Sequence, residues 1–377
     1  MHKIKNLDTF TMIVMAGLVA IGTVAIYGAT TETNLEGLQV SNIVMFAAFC
    51  VPMLALALLD YKVFVGKLSY ILYGLGIVML LLVKFTGENI NGAVRWLSIG
   101  SFNLQPSEPA KIFTILLIAH LLSKREGEKL RVIQDLIPIG LVFLIPTILI
   151  MQQPDLGTSL VFVGVLLSML WMGNIRLSYM ILFVSSVIIV IGTILWLYYA
   201  NFELLSKIVE PHQMSRIQTF LDPTSDPDKS WHVKNAMNAI GSGGMNGSDG
   251  AYLRKGFIPY AYSDSIFVVV GEEYGFIGAS ILLLLYFLLM YRLVQIVIQS
   301  RDLAGAYLVI GLIGMFVFQI FVNIGMHIGL VPLTGISLPF ISYGGSSMLS
   351  NMMAIGLALS VKVHKHEIDL AVDITSK

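Results

Sequence analysis

Runs of apolar residues long enough to cross a bilayer recur from one end of this chain to the other. A helix needs about 20 such residues to span the hydrocarbon core, and every backbone N–H and C=O inside it must be paired within the segment. These constraints select an all-α integral membrane protein, polytopic rather than a soluble domain with one anchor. Composition agrees: 56% of residues are hydrophobic and 12% charged, with a mean hydropathy of +0.82. The runs predict ten helices, over 10–28, 40–59, 63–84, 108–123, 133–151, 157–174, 177–199, 265–297, 303–326 and 346–362. All of 1–377 reads as one membrane domain, with a large external loop over 200–264 inside it. The first run exceeds a signal-peptide core and is expected to stay as a signal anchor.

Lysine and arginine set the orientation. Lys3, Lys5, Lys62, Lys67, Lys124, Arg125, Lys129, Arg131, Arg176, Arg292, Arg301, Lys362 and Lys365 fall on one side. The short loops opposite, around 29–39, 152–156 and 327–345, carry none, and the 85–107 loop carries Arg95, with Lys84 at its border. Cation excess marks the cytoplasmic side, so both termini are expected there and the 200–264 loop outside. An even helix count agrees. The zero net charge reflects charges partitioned by side, and no nucleic-acid partner is expected. Cys50, alone and mid-helix, forms no intrachain disulfide, so packing must hold the external loop. His364 and His366 read as a solvated basic tail, and no metal-ligand set is expected.

Polar residues concentrate on the outer side. Asp264 stands where the long loop returns to lipid-grade sequence, eight and nine residues before Glu272 and Glu273. Carboxylates there either cap a helix N-terminus or mark a functional site. A second group is Asn91-Gly92-Ala93-Val94-Arg95-Trp96, followed by Gln105-Pro106-Ser107-Glu108-Pro109-Ala110-Lys111. Ser107 reads as an N-cap, and Glu108 and Lys111 share one helical face and can pair. That pair is either a structural lock or a means of placing another anion. In Gln152-Gln153-Pro154-Asp155-Leu156-Gly157-Thr158, Asp155 caps the next helix or contacts substrate. The stretch from Asn323 to Ser347 alternates apolar residues with breakers and holds no charge, as befits backbone buried at membrane depth. Its end, Ser342-Tyr343-Gly344-Gly345-Ser346-Ser347, opens a helix, where free N–H groups can seat an anion. Within the loop, Arg216 and the segment around 235–244 lie on short amphipathic patterns, with Arg216 the natural phosphate ligand.

No internal repeat supports an inverted-repeat transporter, and no Walker A, HExxH or GxSxG pattern supports ATP hydrolysis or the common hydrolase sites. One carboxylate, a Lys–Glu pair and an arginine beside lipid suit displacement at a phosphorylated carbon. The carboxylate takes a proton from an attacking hydroxyl while cations stabilise a departing diphosphate. A single carboxylate implies inversion, by analogy with inverting glycosidases. A lone carboxylate beside phosphates also raises the expectation of a Mg²⁺ or Mn²⁺ requirement.

The stretches Arg95-Trp96, Gln105 to Lys111, Gln153 to Thr158, Arg216-Ile217 with Asp222-Pro223, Asp264-Ser-Ile-Phe267 with Gly271-Glu-Glu-Tyr-Gly-Phe276, and Pro332 to Gly335 through Ile341 to Ser347 resemble the SEDS family of bacterial cell-wall polymerases. They do so in order across nearly the whole chain. The resemblance implies a ten-helix peptidoglycan glycosyltransferase of the plasma membrane, polymerising lipid II at the outer leaflet. It implies that Asp264 is the base, that Glu108 and Lys111 support it, and that a class B penicillin-binding protein crosslinks the product. The wording at Asn323-Ile-Gly-Met and Thr334 to Phe340 is more similar to the rod-shape (elongation) branch than to the division branch.

Two departures stand out. The family commonly has an acid and an imidazole where this chain has Tyr260 and Tyr262, and a cation where it has Ser248. The alternatives are a lipid II flippase, and a non-catalytic scaffold for a penicillin-binding protein.

Overall fold

A computed structural model describes residues 7–375, apart from 32, 91–92, 101, 154, 210 and 223–226. The readings at Lys3, Lys5, Asn91, Gly92, Pro154 and Pro223 lie outside the described residues. The helices are α1 (Thr9–Thr30), α2 (Leu38–Leu58), α3 (Tyr61–Val65), α4 (Leu68–Thr86), α5 (Ser107–Ser123), α6 (Ile137–Met151), α7 (Leu156–Met172) and α8 (Leu177–Ala200). Four shorter ones follow in the long segment before the last three helices: α9 (Phe202–Ile208), α10 (Pro211–Leu221), α11 (Pro227–Ser242) and α12 (Ala251–Arg254). The chain ends with α13 (Ile266–Gln299), α14 (Leu303–His327) and α15 (Gly345–Thr375).

Each predicted run contains a helix. Eight described helical spans are long and apolar enough to cross a membrane, α6 together with the π-helical turn Val132–Leu136 that precedes it, and α7 is a shorter apolar helix. α5, only 17 residues long, carries Glu108 and Lys111 in its first turn.

α14 is largely buried and packs against α5, α7 and α13, while α15, more buried still, packs on α2. Close approach depends on small residues, as in membrane bundles generally. A Cβ at Gly164 would collide with the Phe318 ring, and one at Gly311 would sit 2.7 Å from the Ile115 side chain.

Four features depart from expectation. First, the run 63–84 is divided at Gly66, because Asp60 caps the separate short helix α3. Second, the 85–107 loop forms a small antiparallel sheet, β1 (Glu88–Ile90), β2 (Ala93–Ile99) and β3 (Phe102–Leu104), in the order β1-β2-β3. Third, His364 is buried and its Nδ1 lies 2.9 Å from the Ser360 carbonyl, so it is no solvated tail.

The fourth lies in α13, which breaks at Gly275 (φ 60°, ψ −156°). An unbroken 34-residue helix would run about 51 Å, well beyond a hydrocarbon core of about 30 Å. The loop after α11 supplies the partners lost at the break. Phe276 N–H donates to Gly244 O (2.9 Å), Ile277 N–H to Met245 O (3.2 Å) and Ser248 N–H to Glu272 O (2.7 Å).

The ends of the bundle differ in charge. Asp8 binds Arg292 at 2.8 Å and Lys362 at 2.9 Å, joining the start of α1 to α13 and α15 at the cation-rich end. Burial opposes ionisation of Asp8, but Arg292, Thr11 and Lys362 outweigh it and hold the carboxyl at about 2.

Candidate active site

Asp264 lies in the turn that enters α13. Its backbone carbonyl accepts a hydrogen bond from Asn323 Nδ2 at 2.7 Å, and Asn323 Nδ2 also donates to Ile336 O at 2.7 Å. Asn323 is one turn from the C-terminal end of α14, which places Asp264 at that end of the bundle.

Asp264 lines a cavity of about 520 Å³ together with Arg216, His232, Tyr260, His327 and Gly335. Gly335 has φ +72°, and a Cβ there would sit 3.5 Å from Asp264 Oδ2. The other carboxylate oxygen, Oδ1, is buried without a protein partner. Burial pushes the carboxyl up to about 6, against the N–H groups of Asp264 and Ser265 and the charge of Arg216. A carboxylate poised near 6 with one uncommitted oxygen has the properties of a general base at neutral pH.

Arg216, on α10, donates to Thr334 O at 3.3 Å. Burial and then the charge of Arg95 lower its pKa, with Asp155 and Asp264 opposing. Arg95, Asp155, Arg216 and Asp264 therefore form one electrostatic cluster. Within it, Asp155 caps α7 through Thr158 N–H (3.1 Å) and also accepts from Gln105 Nε2 (3.1 Å). Arg95 donates to Gln153 O at 2.9 Å and lies 3.9 Å from Asp155. These two residues tie β2 to the α6–α7 turn.

The remaining candidates lie elsewhere. Glu108 and Lys111 form a 2.9 Å ion pair, both side chains at most 4% exposed, and neither lines the cavity. Ser107 is not the N-cap: α5 starts with Ser107 inside it, and its hydroxyl is buried without a partner. Ser342 accepts from Leu338 N–H (2.7 Å) and closes a turn. Ser346 accepts from Gln105 N–H (2.9 Å) and donates to Asn103 O (2.8 Å), which fastens the start of α15 to β3. Ser347 pairs with Ser337 at 2.8 Å. Gly344 and Gly345 lead into this helix start, and none of Ser342 or Gly344 to Ser347 lines the cavity.

The departures are in working positions. Tyr260 lines the cavity in a left-handed conformation (φ 50°). The Tyr262 carbonyl accepts from Tyr343 N–H at 2.9 Å. Ser248 supports the α13 break through both its N–H and its hydroxyl. His232 and His327 line the cavity without having been singled out in the sequence. His327 ends an apolar helix, a position where an imidazole is a signal in itself.

Among the described residues no three His, Cys, Asp or Glu side chains gather to hold a metal ion. The protein offers one carboxylate at the cavity, so a protein-held ion does not fit and no step is routed through one.

The family model of the FtsW, RodA and SpoVE cell cycle proteins matches residues 6–367. The peptidoglycan glycosyltransferase RodA of Treponema pallidum is 32% identical, over 96% of this chain and 99% of its own. The peptidoglycan glycosyltransferase MrdB of Escherichia coli is also 32% identical, over 96% and 94%. Among solved structures, a chain from a peptidoglycan synthase complex, described as coordinating polymerisation and crosslinking, superposes with a TM-score of 0.81. It shares 28% identity, over 96% of this chain and 99% of that one. The rod shape determining protein RodA of Thermus thermophilus superposes at 0.70, with 26% identity over 96% and 98%.

Proposed function

The chain belongs to the FtsW, RodA and SpoVE family, and from that premise we propose that it is a peptidoglycan glycosyltransferase using Asp264 as its base. It is a multi-pass protein of the bacterial membrane. The substrate is lipid II, a disaccharide peptide carried on a polyprenyl diphosphate. A hydroxyl of the acceptor sugar attacks the anomeric carbon of the donor. The new glycosidic C–O bond forms as the anomeric C–O bond to the diphosphate breaks, and the diphosphate leaves with the electron pair. The hydroxyl proton passes to the Asp264 carboxylate. Arg216, the cavity's half-buried arginine, stabilises the charge developing on the diphosphate. One displacement inverts the anomeric centre.

The observation that carries this reading is that Asp264, its carboxyl raised by burial to about 6, lines one cavity with Arg216. A penicillin-binding protein of class B is the proposed partner, since a similar chain works in a synthase complex that couples polymerisation to crosslinking. Flipping is disfavoured because the cavity's charged groups gather at one end of the bundle.

The test is purified protein with fluorescent lipid II, with and without the partner and with and without chelator. Glycan strands are expected, and loss of product on chelation would show that the reaction requires a divalent cation. In sided liposomes, translocation of lipid II without polymer would overturn the reading in favour of transport.

A further inference from the structure

Among the described residues, Glu126, Asn174, Tyr260 and Phe340 hold a positive φ without being glycine. That conformation crowds Cβ against the backbone and is uncommon for a bulky side chain, so it persists only where something compensates. Phe340 is compensated by packing: it is 1% exposed, and its ring lies 5.8 Å from that of Phe316. Tyr260 has no such return, since it adopts φ 50° while 46% exposed. The fold keeps an aromatic ring in a strained turn without burying it.

The turn itself does not need the ring. Its closing bond, from Ser263 N–H to Tyr260 O at 2.8 Å, is made by backbone alone, and glycine would hold the same angles without steric cost. What the ring reaches is the cavity, which Tyr260 lines together with Asp264, Arg216 and Phe220. Phe220 is also 36% exposed, and it shares one face of α10 with Arg216, four residues before it. The cavity therefore combines a cation, an acid and accessible aromatic rings. Its volume of about 520 Å³ falls in the range of sites that hold small-molecule ligands.

A pyranose is the ligand class that this combination fits. The apolar face of such a ring presents C–H groups, which pack on the electron-rich face of an aromatic ring. Its rim presents hydroxyls, whose hydrogen bonds a carboxylate accepts. A phosphate makes no use of the aromatic ring, and a polyprenyl chain makes no use of the acid. We propose that Tyr260 is a saccharide-binding residue, its ring stacked on the apolar face of a pyranose of lipid II. The inference rests on the lipid II reading for its ligand and deepens it, naming the side chain that holds the sugar while Arg216 meets the diphosphate.

Binding tests it on the full-length protein in lipid nanodiscs, in an Asp264→Ala background that leaves the glycosyl linkage intact. The two probes are lipid II and the polyprenyl diphosphate that lacks the disaccharide. Adding Tyr260→Ala should weaken lipid II about tenfold and leave polyprenyl diphosphate unchanged. Tyr260→Phe, which keeps the ring, should bind both as the parent does. Tyr260→Gly should lose lipid II as Tyr260→Ala does, yet melt about 2 °C above it, because only glycine relieves the backbone. Parental affinity of Tyr260→Ala for lipid II would overturn the stacking. An equal loss for both probes would overturn it too, by marking a residue that shapes the turn rather than one that holds the sugar. A Tyr260→Gly variant melting no higher than Tyr260→Ala would overturn the claim that the ring is kept against backbone strain. A native chain that makes no polymer, with the contrast between the two probes intact, would count against the glycosyltransferase reading alone.

Discussion

Asn323 grips Asp264 by its backbone carbonyl rather than its carboxylate, and the same amide nitrogen grips Ile336 O, each at 2.7 Å. One side chain on the central helix thus fixes both the turn that presents the acid and the charge-free loop beneath it. The carboxylate keeps an oxygen uncommitted.

Asn323→Leu removes both hydrogen bonds and leaves two carbonyls without their partner. Losing paired donors in a buried site costs roughly 2–4 kcal/mol. Thermal unfolding in detergent should show a loss of that order, and polymerisation should fall at least as far as stability predicts.

Asp264→Asn should make the protein more stable. The folded carboxyl titrates at about 6, above its unfolded value. Ionising it therefore works against folding at neutral pH, by about 2–3 kcal/mol. The variant should gain that much at pH 7.5, and the gain should fade between pH 6 and pH 4, where both states become protonated. The native enzyme's rate should also drop as pH falls through about 6. A variant no more stable than native at pH 7.5 would contradict the burial argument.

Glu108 and Lys111 are buried together, so removing one strands the other. Glu108→Gln should cost about 3–5 kcal/mol, the usual penalty for an uncompensated buried charge. Adding Lys111→Met should recover part of the stability. Denaturation of the two single variants and the double variant closes the cycle.

Gly275 makes the break in α13 with a conformation that side chains rarely adopt, and a Cβ there would lie 2.5 Å from Gly247 N. Gly275→Ala should cost at least about 2 kcal/mol. It should also loosen the 243–252 loop, which limited proteolysis would detect.

The spanning helices were legible because an apolar run of that length has few other fates in water. Asp264 and Arg216 were legible because charge at a membrane border is costly, and the structure does bring them to one cavity. Other features left no such mark. Strands of three residues around Glu88 and Phe102 are too short for periodicity to register. Gly275 sits inside a continuous apolar run, and only its backbone angles betray the break. Gln319 is one of two amides in a long apolar helix, and its complete burial appears only in the folded bundle. Ser346 and Ser347 spend their hydroxyls on Asn103, Gln105 and Ser337, partners distant in sequence that the composition of the 344–347 turn does not reveal.

The most direct measurement is strand formation from lipid II by Asp264→Ala in the presence of the crosslinking partner, beside a check that the variant folds and binds that partner as the native chain does. Loss of a general base should reduce the rate by about 10²–10⁴. Glycan strands made at the native rate by a correctly folded Asp264→Ala protein would contradict the assignment of the proton transfer to Asp264.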